Sequence, residues 1–146
     1  MKNKTIYTTI KVRMTVNESR ANVRDAEGCV KLLRVILDDL DVDQEHFIML
    51  SLNKGNDVTG FKVVHTGGQD ETIVDMKSVY RNALLMGATS IIVCHNHPSG
   101  RTEPSAEDTR LTLKLKEAGA LIDIKLLDHI IIGGENTFLF SEHGLI

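Results

Sequence analysis

Residues 89–108 constrain the fold and the chemistry of this chain more than any other stretch. Residues 91–93 (Ile-Ile-Val) form an apolar run typical of a buried strand, and His95 and His97 follow it one residue apart. A turn signal, Pro-Ser-Gly at residues 98–100, comes next. Because alternate side chains of an extended chain share a face, both imidazoles are expected to face one point beyond the end of the strand.

A helix is predicted directly after this turn. Ser105 is a typical N-cap residue, an apolar stripe follows it, and Gly119 is expected to end the helix. Helical side chains lean toward the N-terminus, so the carboxylate of Asp108 is expected to point back toward the two histidines. Two imidazoles and one carboxylate supply three ligands to a zinc ion at about 2.0 to 2.2 Å. They leave the fourth tetrahedral position to water, as in catalytic rather than structural zinc sites.

The spacing of these polar side chains resembles the JAMM signature of the JAB/MPN metalloprotease superfamily. The residues that carry the resemblance are His95, Asn96, His97, Ser105 and Asp108. Two stretches are similar to the RadC-like branch of that superfamily: His-Asn-His-Pro-Ser-Gly from position 95, and Leu-Leu-Asp-His-Ile-Ile-Ile-Gly at residues 126–133. The resemblance covers residues 24–146.

The resemblance implies a set of roles for the site residues. His95, His97 and Asp108 would hold one zinc ion per chain, as the spacing also indicates. An upstream glutamate on an early strand, which Glu45 matches here, would act as the catalytic base. Ser105 would donate a hydrogen bond to the oxygen of the tetrahedral intermediate.

The resemblance has one departure, at Asn96. Peptidase members of the superfamily have Ser or Thr between the two histidines, whereas the RadC-like branch has Asn. The departure bears on the class of substrate more than on metal binding.

Composition limits the partners and the compartment. The formal charge is −3, and the chain has six aromatic residues (four Phe, two Tyr) with no concentrated basic patch, so nucleic-acid binding is not indicated. Cys29 and Cys94 form no C-x-x-C motif, which is typical of a reducing compartment. The first residues lack the apolar region of a signal peptide and no apolar run is long enough for a membrane span, so we expect a cytoplasmic protein.

The order of predicted elements indicates an α/β fold. Residues 1–23 are expected to form an N-terminal strand or arm, and residues 24–146 a RadC-like JAB/MPN domain. Within that domain a helix with Asp25 as its N-cap precedes a hairpin, a helix with Asp75 as its N-cap, a strand, a third helix and a final hairpin, which predicts one mixed sheet flanked by helices. The resemblance implies the JAB/MPN arrangement, a layered architecture similar to that of cytidine deaminases.

Two side chains near the site, Asp128 and Cys94, have two interpretations each. Asp128 and His129 interrupt an apolar strand, so at least one of them is expected to be buried with a partner. Asp128 either hydrogen-bonds a ligand histidine or makes a purely structural hydrogen bond. Cys94 is either a buried thiol or a fourth ligand, and its opposite orientation to His95 along the strand favours the thiol.

Two functions of different classes remain open. The first is a zinc hydrolase of peptide or isopeptide bonds acting on a peptide or protein substrate. The second is a non-catalytic metal-binding module, for which the DNA-repair label of the RadC family suggests DNA-processing partners. The three intact ligands favour the hydrolase, and the oligomeric state stays open. Three other classes of enzyme do not fit this sequence. HNH nucleases have their motif residues dispersed along the chain, whereas here they are consecutive. Zinc deaminases need a C-x-x-C pair, which this chain lacks, and barrel amidohydrolases need about 250 residues.

Overall fold

The computed structural model describes residues 22–67 and 74–146 of the chain. The predicted N-terminal strand or arm lies outside the described residues, apart from its last two positions. No helix within the described ranges is long and apolar enough to cross a membrane. In chain order the elements are α1 (Ala26–Asp38), β1 (Glu45–Leu52), β2 (Val58–Gly67), α2 (Met76–Leu85), β3 (Ser90–Asn96), α3 (Ala106–Leu121), β4 (Lys125–Gly133), β5 (Asn136–Leu139) and a 3₁₀ turn (Ser141–His143).

The strands form one five-stranded sheet in the order β2-β1-β3-β4-β5. β1 pairs antiparallel with β2 and β3, and β4 pairs antiparallel with β5. β3 and β4 are parallel because α3 carries the chain back across the sheet between them. The predicted mixed α/β sheet flanked by helices is confirmed.

Helices cover both faces of the sheet. The strand residues packed toward α1 include Ile48, Leu50, Ile92, Cys94 and Ile130. Those packed toward α2 and α3 include Phe47, Met49, Ile91, Val93 and Leu126. Neighbouring residues of β3 therefore face opposite cores, and β3, in the middle of the sheet, is buried along its whole length.

Each helix begins at the cap that the sequence predicts. Asp25, Asp75 and Ser105 accept hydrogen bonds from backbone N–H groups in the first turn of α1, α2 and α3 respectively. The predicted end of α3 at Gly119 is wrong, because the helix continues to Leu121. Gly119 is needed for close packing instead: a Cβ there would lie 2.2 Å from the backbone oxygen of Ile124.

A β-bulge at the start of β4 decides which side chains face the site. Ile91 is paired with Leu126, but the next residue of β3, Ile92, is paired with Asp128, so Leu127 is an extra residue in β4. Before the bulge Leu126 packs toward α2 and α3, whereas after it Ile130 packs toward α1. The bulge therefore turns Asp128 toward the α1 side, and the following residue to the opposite side.

Candidate metal centre

β3 delivers the two histidines to one point. His95 lies near the end of the strand and is 1 % exposed, and the side chain of His97, just beyond it, is 18 % exposed. The backbone N–H of His97 donates to the oxygen of Ile132 at 2.8 Å, so the chain stays attached to β4 after β3 ends. The two Nε2 atoms lie 2.9 Å apart. The convergence that the alternation of side chains predicts is present.

Asp108 reaches the same point from the first turn of α3. Its Oδ1 lies 3.4 Å from Nε2 of His95, and its Oδ2 lies 3.8 Å from Nε2 of His97. A capping box fixes the carboxylate: the N–H of Ser105 donates to Oδ2 of Asp108 at 2.8 Å, and the N–H of Asp108 donates to Oγ of Ser105 at 3.0 Å. The cap that starts the helix thus also orients Asp108 toward the histidines.

The surroundings of Asp108 favour its charged form. Burial by itself raises the pKa of this carboxyl, but the hydrogen bond and the charge that His95 supplies when it is protonated, together with the hydrogen bonds from Ser105, outweigh it. The pKa of Asp108 is consequently held well below its ordinary value. A carboxylate that stays ionised at neutral pH is suited to binding a cation.

Glu45 completes the cluster from β1. One oxygen of its carboxylate and one ring nitrogen from each of His95 and His97 lie within 4.8 Å of one another, a group that could hold a metal ion. Glu45 begins β1, and β1 is the antiparallel neighbour of β3, so sheet pairing brings it to the histidines. We call Glu45, His95, His97 and Asp108 the histidine site.

The tautomer of His97 is set by the loop that follows it. Nδ1 of His97 lies 2.8 Å from the backbone oxygen of Arg101. A carbonyl oxygen only accepts hydrogen bonds, so Nδ1 carries the proton and donates. The Nε2 atom of neutral His97 therefore has a free lone pair, and it faces His95 and Asp108.

Ser105 lies beside the histidine site through its capping box with Asp108. Its hydroxyl oxygen accepts a hydrogen bond from the helix, which leaves the hydroxyl hydrogen available to donate. The residue is exposed. Its catalytic role stays a prediction, as do the separate roles of the four residues of the histidine site.

Asn96, between the two histidines, holds the backbone on both sides of Glu45. Its Oδ1 accepts from the N–H of His46 at 2.8 Å, and its Nδ2 donates to the oxygen of Gln44 at 2.8 Å. The side chain is 5 % exposed and points to the face opposite His95. The departure from the peptidase pattern thus has a structural role here, which is to align β1 with the histidines.

The hypothesis that Asp128 contacts a ligand histidine is not what the structure shows. Its carboxylate accepts from the backbone N–H groups of His129 and Ser141 at 2.8 and 3.0 Å and from the hydroxyl of Ser141, so its hydrogen bonds are structural. Sequence alternation missed this because the bulge at Leu127 reverses the faces of β4. Its neighbour His129 contacts His95 instead, with Nε2 2.8 Å from Nδ1 of His95.

His129 is neutral in this environment. It is 0 % exposed, and burial is the largest cause that lowers its pKa well below the ordinary value, followed by the charge of His95. Thr112 of α3 lies 2.6 Å from its Nδ1. Sequence reasoning did not identify Thr112, and the interruption of an apolar strand at positions 128 and 129 was the available signal for His129.

Cys94 is a buried thiol and not a fourth ligand. It is 0 % exposed and packs in the core toward α1, on the face opposite His95. Burial raises the pKa of its thiol well above the ordinary value. The interpretation favoured by its position in the strand is confirmed.

Comparison with known proteins gives a consistent picture. The family model described as RadC-like JAB domain matches residues 23–145. Similar curated proteins include a UPF0758 protein of Rubrobacter xylanophilus, which is 40 % identical over 106 residues, 73 % of this chain and 46 % of that protein. A UPF0758 protein of Bacillus cereus is 39 % identical over 129 residues, 88 % of this chain and 56 % of that protein. The UPF0758 protein YfjY of Escherichia coli is 39 % identical over 105 residues, 72 % of this chain and 66 % of that protein.

These relatives are longer than the chain that matches them. The chain covers 46 % to 66 % of the length of the three proteins, and their names state no activity. The match extends over the predicted ligand stretch at positions 95–108 and over residues 126–133, the second stretch that resembles the RadC-like branch.

Proposed function

This chain belongs to the RadC-like JAB domain family, and we propose that it is a zinc-dependent hydrolase of peptide or isopeptide bonds. The observation that carries the proposal is the convergence of two imidazole nitrogens and a carboxylate on one point beside Glu45. Three protein ligands with one open position are typical of catalytic zinc.

The distances between the donor atoms support the choice of zinc. Bonds of about 2.0 to 2.1 Å in a tetrahedral arrangement place neighbouring donor atoms about 3.3 Å apart. The two histidine nitrogens lie 2.9 Å apart, and each lies near a different carboxylate oxygen of Asp108: Nε2 of His95 is 3.4 Å from Oδ1, and Nε2 of His97 is 3.8 Å from Oδ2. His95, His97 and Asp108 would hold the ion without a large rearrangement of the backbone.

The electrostatics of the histidine site support a bound cation as well. Nε2 of His97 has a free lone pair, and it lies 2.9 Å from another ring nitrogen and beside an ionised carboxylate. Two nitrogen lone pairs that face one another repel unless a proton or a metal cation lies between them. A divalent cation supplies that charge.

The catalytic roles divide between the remaining side chains. When bound, zinc lowers the pKa of a coordinated water to about 7 and polarises a carbonyl oxygen. Glu45 accepts the proton of the attacking water and delivers it to the leaving amine. Its carboxylate is suited to this role because it lies beside the histidine pair. Ser105, anchored by the capping box, donates its hydroxyl hydrogen to the oxygen of the tetrahedral intermediate. The substrate class is therefore a peptide or a protein with an isopeptide linkage.

The first experiment measures zinc stoichiometry on the purified chain. We expect about one equivalent of zinc in the wild type and a large loss in His97→Ala and in Asp108→Ala, because each removes one of three ligands. The exposed His143 provides the matched control, and His143→Ala should bind zinc as the wild type does. Full zinc occupancy in both ligand variants would contradict the ligand assignment.

The second experiment tests catalysis with a library of peptides and isopeptide-linked substrates. Glu45→Gln should retain zinc but lose cleavage by at least about 100-fold, the usual contribution of a general base. Glu117→Gln, an exposed acid at the far end of α3, should cleave as the wild type does. Cleavage that is unaffected by Glu45→Gln would refute the assignment of Glu45 as the catalytic base. A zinc-loaded wild type with no cleavage of any substrate would favour the non-catalytic metal-binding module.

A further inference from the structure

We propose that His129 is a positioning residue that, together with Thr112, holds His95 in the tautomer able to bind the metal ion. The inference rests on the proposed function, because it concerns the ring nitrogen of His95 that faces the histidine site. His129 lies on β4 opposite Val93 of β3, its ring contacts that of His95 two residues further along β3, and Thr112 lies on α3. We call His129 and Thr112 the relay pair.

Three hydrogen bonds connect the relay pair to two of the proposed ligands. Nδ1 of His95 lies 2.8 Å from Nε2 of His129, and Nδ1 of His129 lies 2.6 Å from Oγ1 of Thr112. The hydroxyl of Thr112 donates to the backbone oxygen of Asp108 at 2.6 Å. The chain of contacts thus begins at one ligand histidine and ends at the residue that provides the carboxylate.

The direction of each hydrogen bond follows from the last acceptor. The carbonyl oxygen of Asp108 can only accept, so the hydroxyl proton of Thr112 is used there. Thr112 must then accept from His129, which places a proton on Nδ1 of His129. In a neutral imidazole only one nitrogen is protonated, so Nε2 of His129 accepts, and Nδ1 of His95 is the donor.

Metal binding by His95 requires the same tautomer that the hydrogen bonds of Thr112 and His129 indicate. A neutral histidine that binds a metal through Nε2 carries its proton on Nδ1 and needs an acceptor there. Nε2 of His129 is the acceptor that this tautomer needs, at 2.8 Å. The two derivations start from opposite ends of the chain of contacts and give the same direction for the hydrogen bond between His95 and His129.

A doubly protonated His129 would reverse the assignment, and its surroundings disfavour this state. The side chain is 0 % exposed, and its ring nitrogens contact a hydroxyl and an imidazole, with no carboxylate among their described partners. An unpaired charge at a fully buried position is costly. His129 is therefore neutral, and its ring has one acceptor nitrogen for His95.

Aromatic contacts fix the orientation of the imidazole rings of His129 and His95. Phe140 stacks on the ring of His129 at 4.6 Å between centroids and 9° between planes. Phe47 contacts His129 edge-on at 5.7 Å and stacks near His95 at 6.1 Å. Neither imidazole can rotate without displacing a buried phenylalanine, so the acceptor nitrogen stays aimed at His95.

The first test compares zinc affinities by competition with a chromophoric chelator. His129→Leu, which removes the acceptor, should raise the zinc dissociation constant about 10- to 100-fold. His129→Gln should restore much of the affinity, because its amide oxygen can accept from Nδ1 of His95. Asp128→Asn is the matched control: it alters the adjacent residue of the same strand on the opposite face, and it should leave zinc affinity unchanged even if stability falls. Wild-type affinity in His129→Leu would overturn the proposal.

The second test needs no variant to be folded. Multiple-bond ¹⁵N–¹H NMR of the wild-type chain, recorded at about pH 8 after zinc is removed by chelation, reports which nitrogen of each histidine is protonated. We expect the proton of His95 on Nδ1 and the proton of His129 also on Nδ1. A proton on Nε2 of His95 with none on its Nδ1 would overturn the assignment of His129 as the acceptor.

The outcomes separate this proposal from the proposed function. A wild type that binds no zinc but shows His95 protonated on Nδ1 contradicts the hydrolase and leaves the tautomer assignment standing. A wild type that binds one zinc, with equal affinity in His129→Leu, contradicts the relay and leaves the hydrolase standing.

Discussion

Asn96 shows how one side chain can substitute for strand pairing. Beyond the pairing of Phe47 with His95, the neighbouring β1 segment is joined to β3 through the Asn96 amide, which bonds to Gln44 and His46. These two backbone groups flank Glu45. The amide has a donor and an acceptor, and both are used, whereas a serine or threonine hydroxyl is shorter and has a single hydrogen to donate.

We predict that Asn96→Ala lowers the free energy of unfolding by about 1 to 3 kcal/mol, because it removes the partner of the buried N–H of His46 and of the backbone oxygen of Gln44. Urea denaturation measures the loss. Asn82→Ala is the control, since the Asn82 amide makes a half-buried hydrogen bond within α2 and its removal should cost less. Equal losses in the two variants would show that Asn96 does not align β1.

Single residues differ in how far the sequence reveals them. His95, His97 and Asp108 could be identified because strand alternation and the N-terminal lean of helical side chains are local rules. Thr112 could not, because a threonine inside a helix has no local signal that distinguishes it from a surface residue. Its partner comes from β4, and only the packing of α3 on the sheet brings them together.

At the scale of elements, the end of β4 supports the loop that orients His97. Gly133, the last residue of β4, packs against the loop so closely that a Cβ would lie 2.7 Å from the oxygen of Gly100 and 2.8 Å from that of Arg101. The same oxygen of Arg101 accepts the proton of Nδ1 of His97. The close approach of β4 and the loop therefore positions the oxygen of Arg101, which sets the tautomer of His97.

Gly133→Ala should consequently weaken zinc binding by displacing the loop, and destabilise the fold by about 1 to 3 kcal/mol through overpacking. Chelator competition and urea denaturation measure the two effects. In Gly55→Ala, the nearest atom to the new Cβ lies at an ordinary contact distance of 3.4 Å in the β1–β2 turn, so zinc affinity should not change. If Gly133→Ala binds zinc as tightly as Gly55→Ala, the loop does not depend on this contact.

The bulge in β4 is the element-level feature that the sequence did not reveal. A regular strand would place Leu126 and Asp128 on the same face, and Asp128 would then be the neighbour of His95. The extra residue, Leu127, places His129 there instead. An apolar residue within an apolar run gives no sign of a bulge, because the bulge arises from the register between β3 and β4.

The stability of the whole molecule should depend on pH through His129. Burial and the charge of His95 lower its pKa in the folded state, while the unfolded chain has the ordinary value of about 6.5. As pH falls below about 6.5, the unfolded chain takes up a proton that the folded chain does not. The free energy of unfolding therefore decreases, by up to about 1.4 kcal/mol per pH unit for this group.

We predict that zinc-free wild type loses more stability between pH 8 and pH 5 than His129→Gln does. Urea denaturation across this range, in the presence of a chelator, measures the difference. The two proteins differ only at residue 129, so the comparison isolates His129. Parallel pH profiles would show that His129 is not held neutral in the folded state. Asp108, whose pKa is lowered, contributes in a separate window below about pH 4, where its stabilising charge is lost.

The sequence by itself determined the order of the elements, the three N-caps and the ligand stretch, because strand alternation, capping and turn chemistry act over a few residues. The tertiary structure alone decided which distant groups meet: Glu45 beside the histidines through sheet pairing, and His129 rather than Asp128 through the bulge. Gly119 illustrates the same division, since the sequence indicates a helix terminator, whereas the hydroxyl of Tyr80 in α2, only 2.7 Å from where a Cβ would lie, shows that it is needed for packing. These contacts depend on the register between strands and on how the helices pack on the sheet, and neither is encoded in a local pattern.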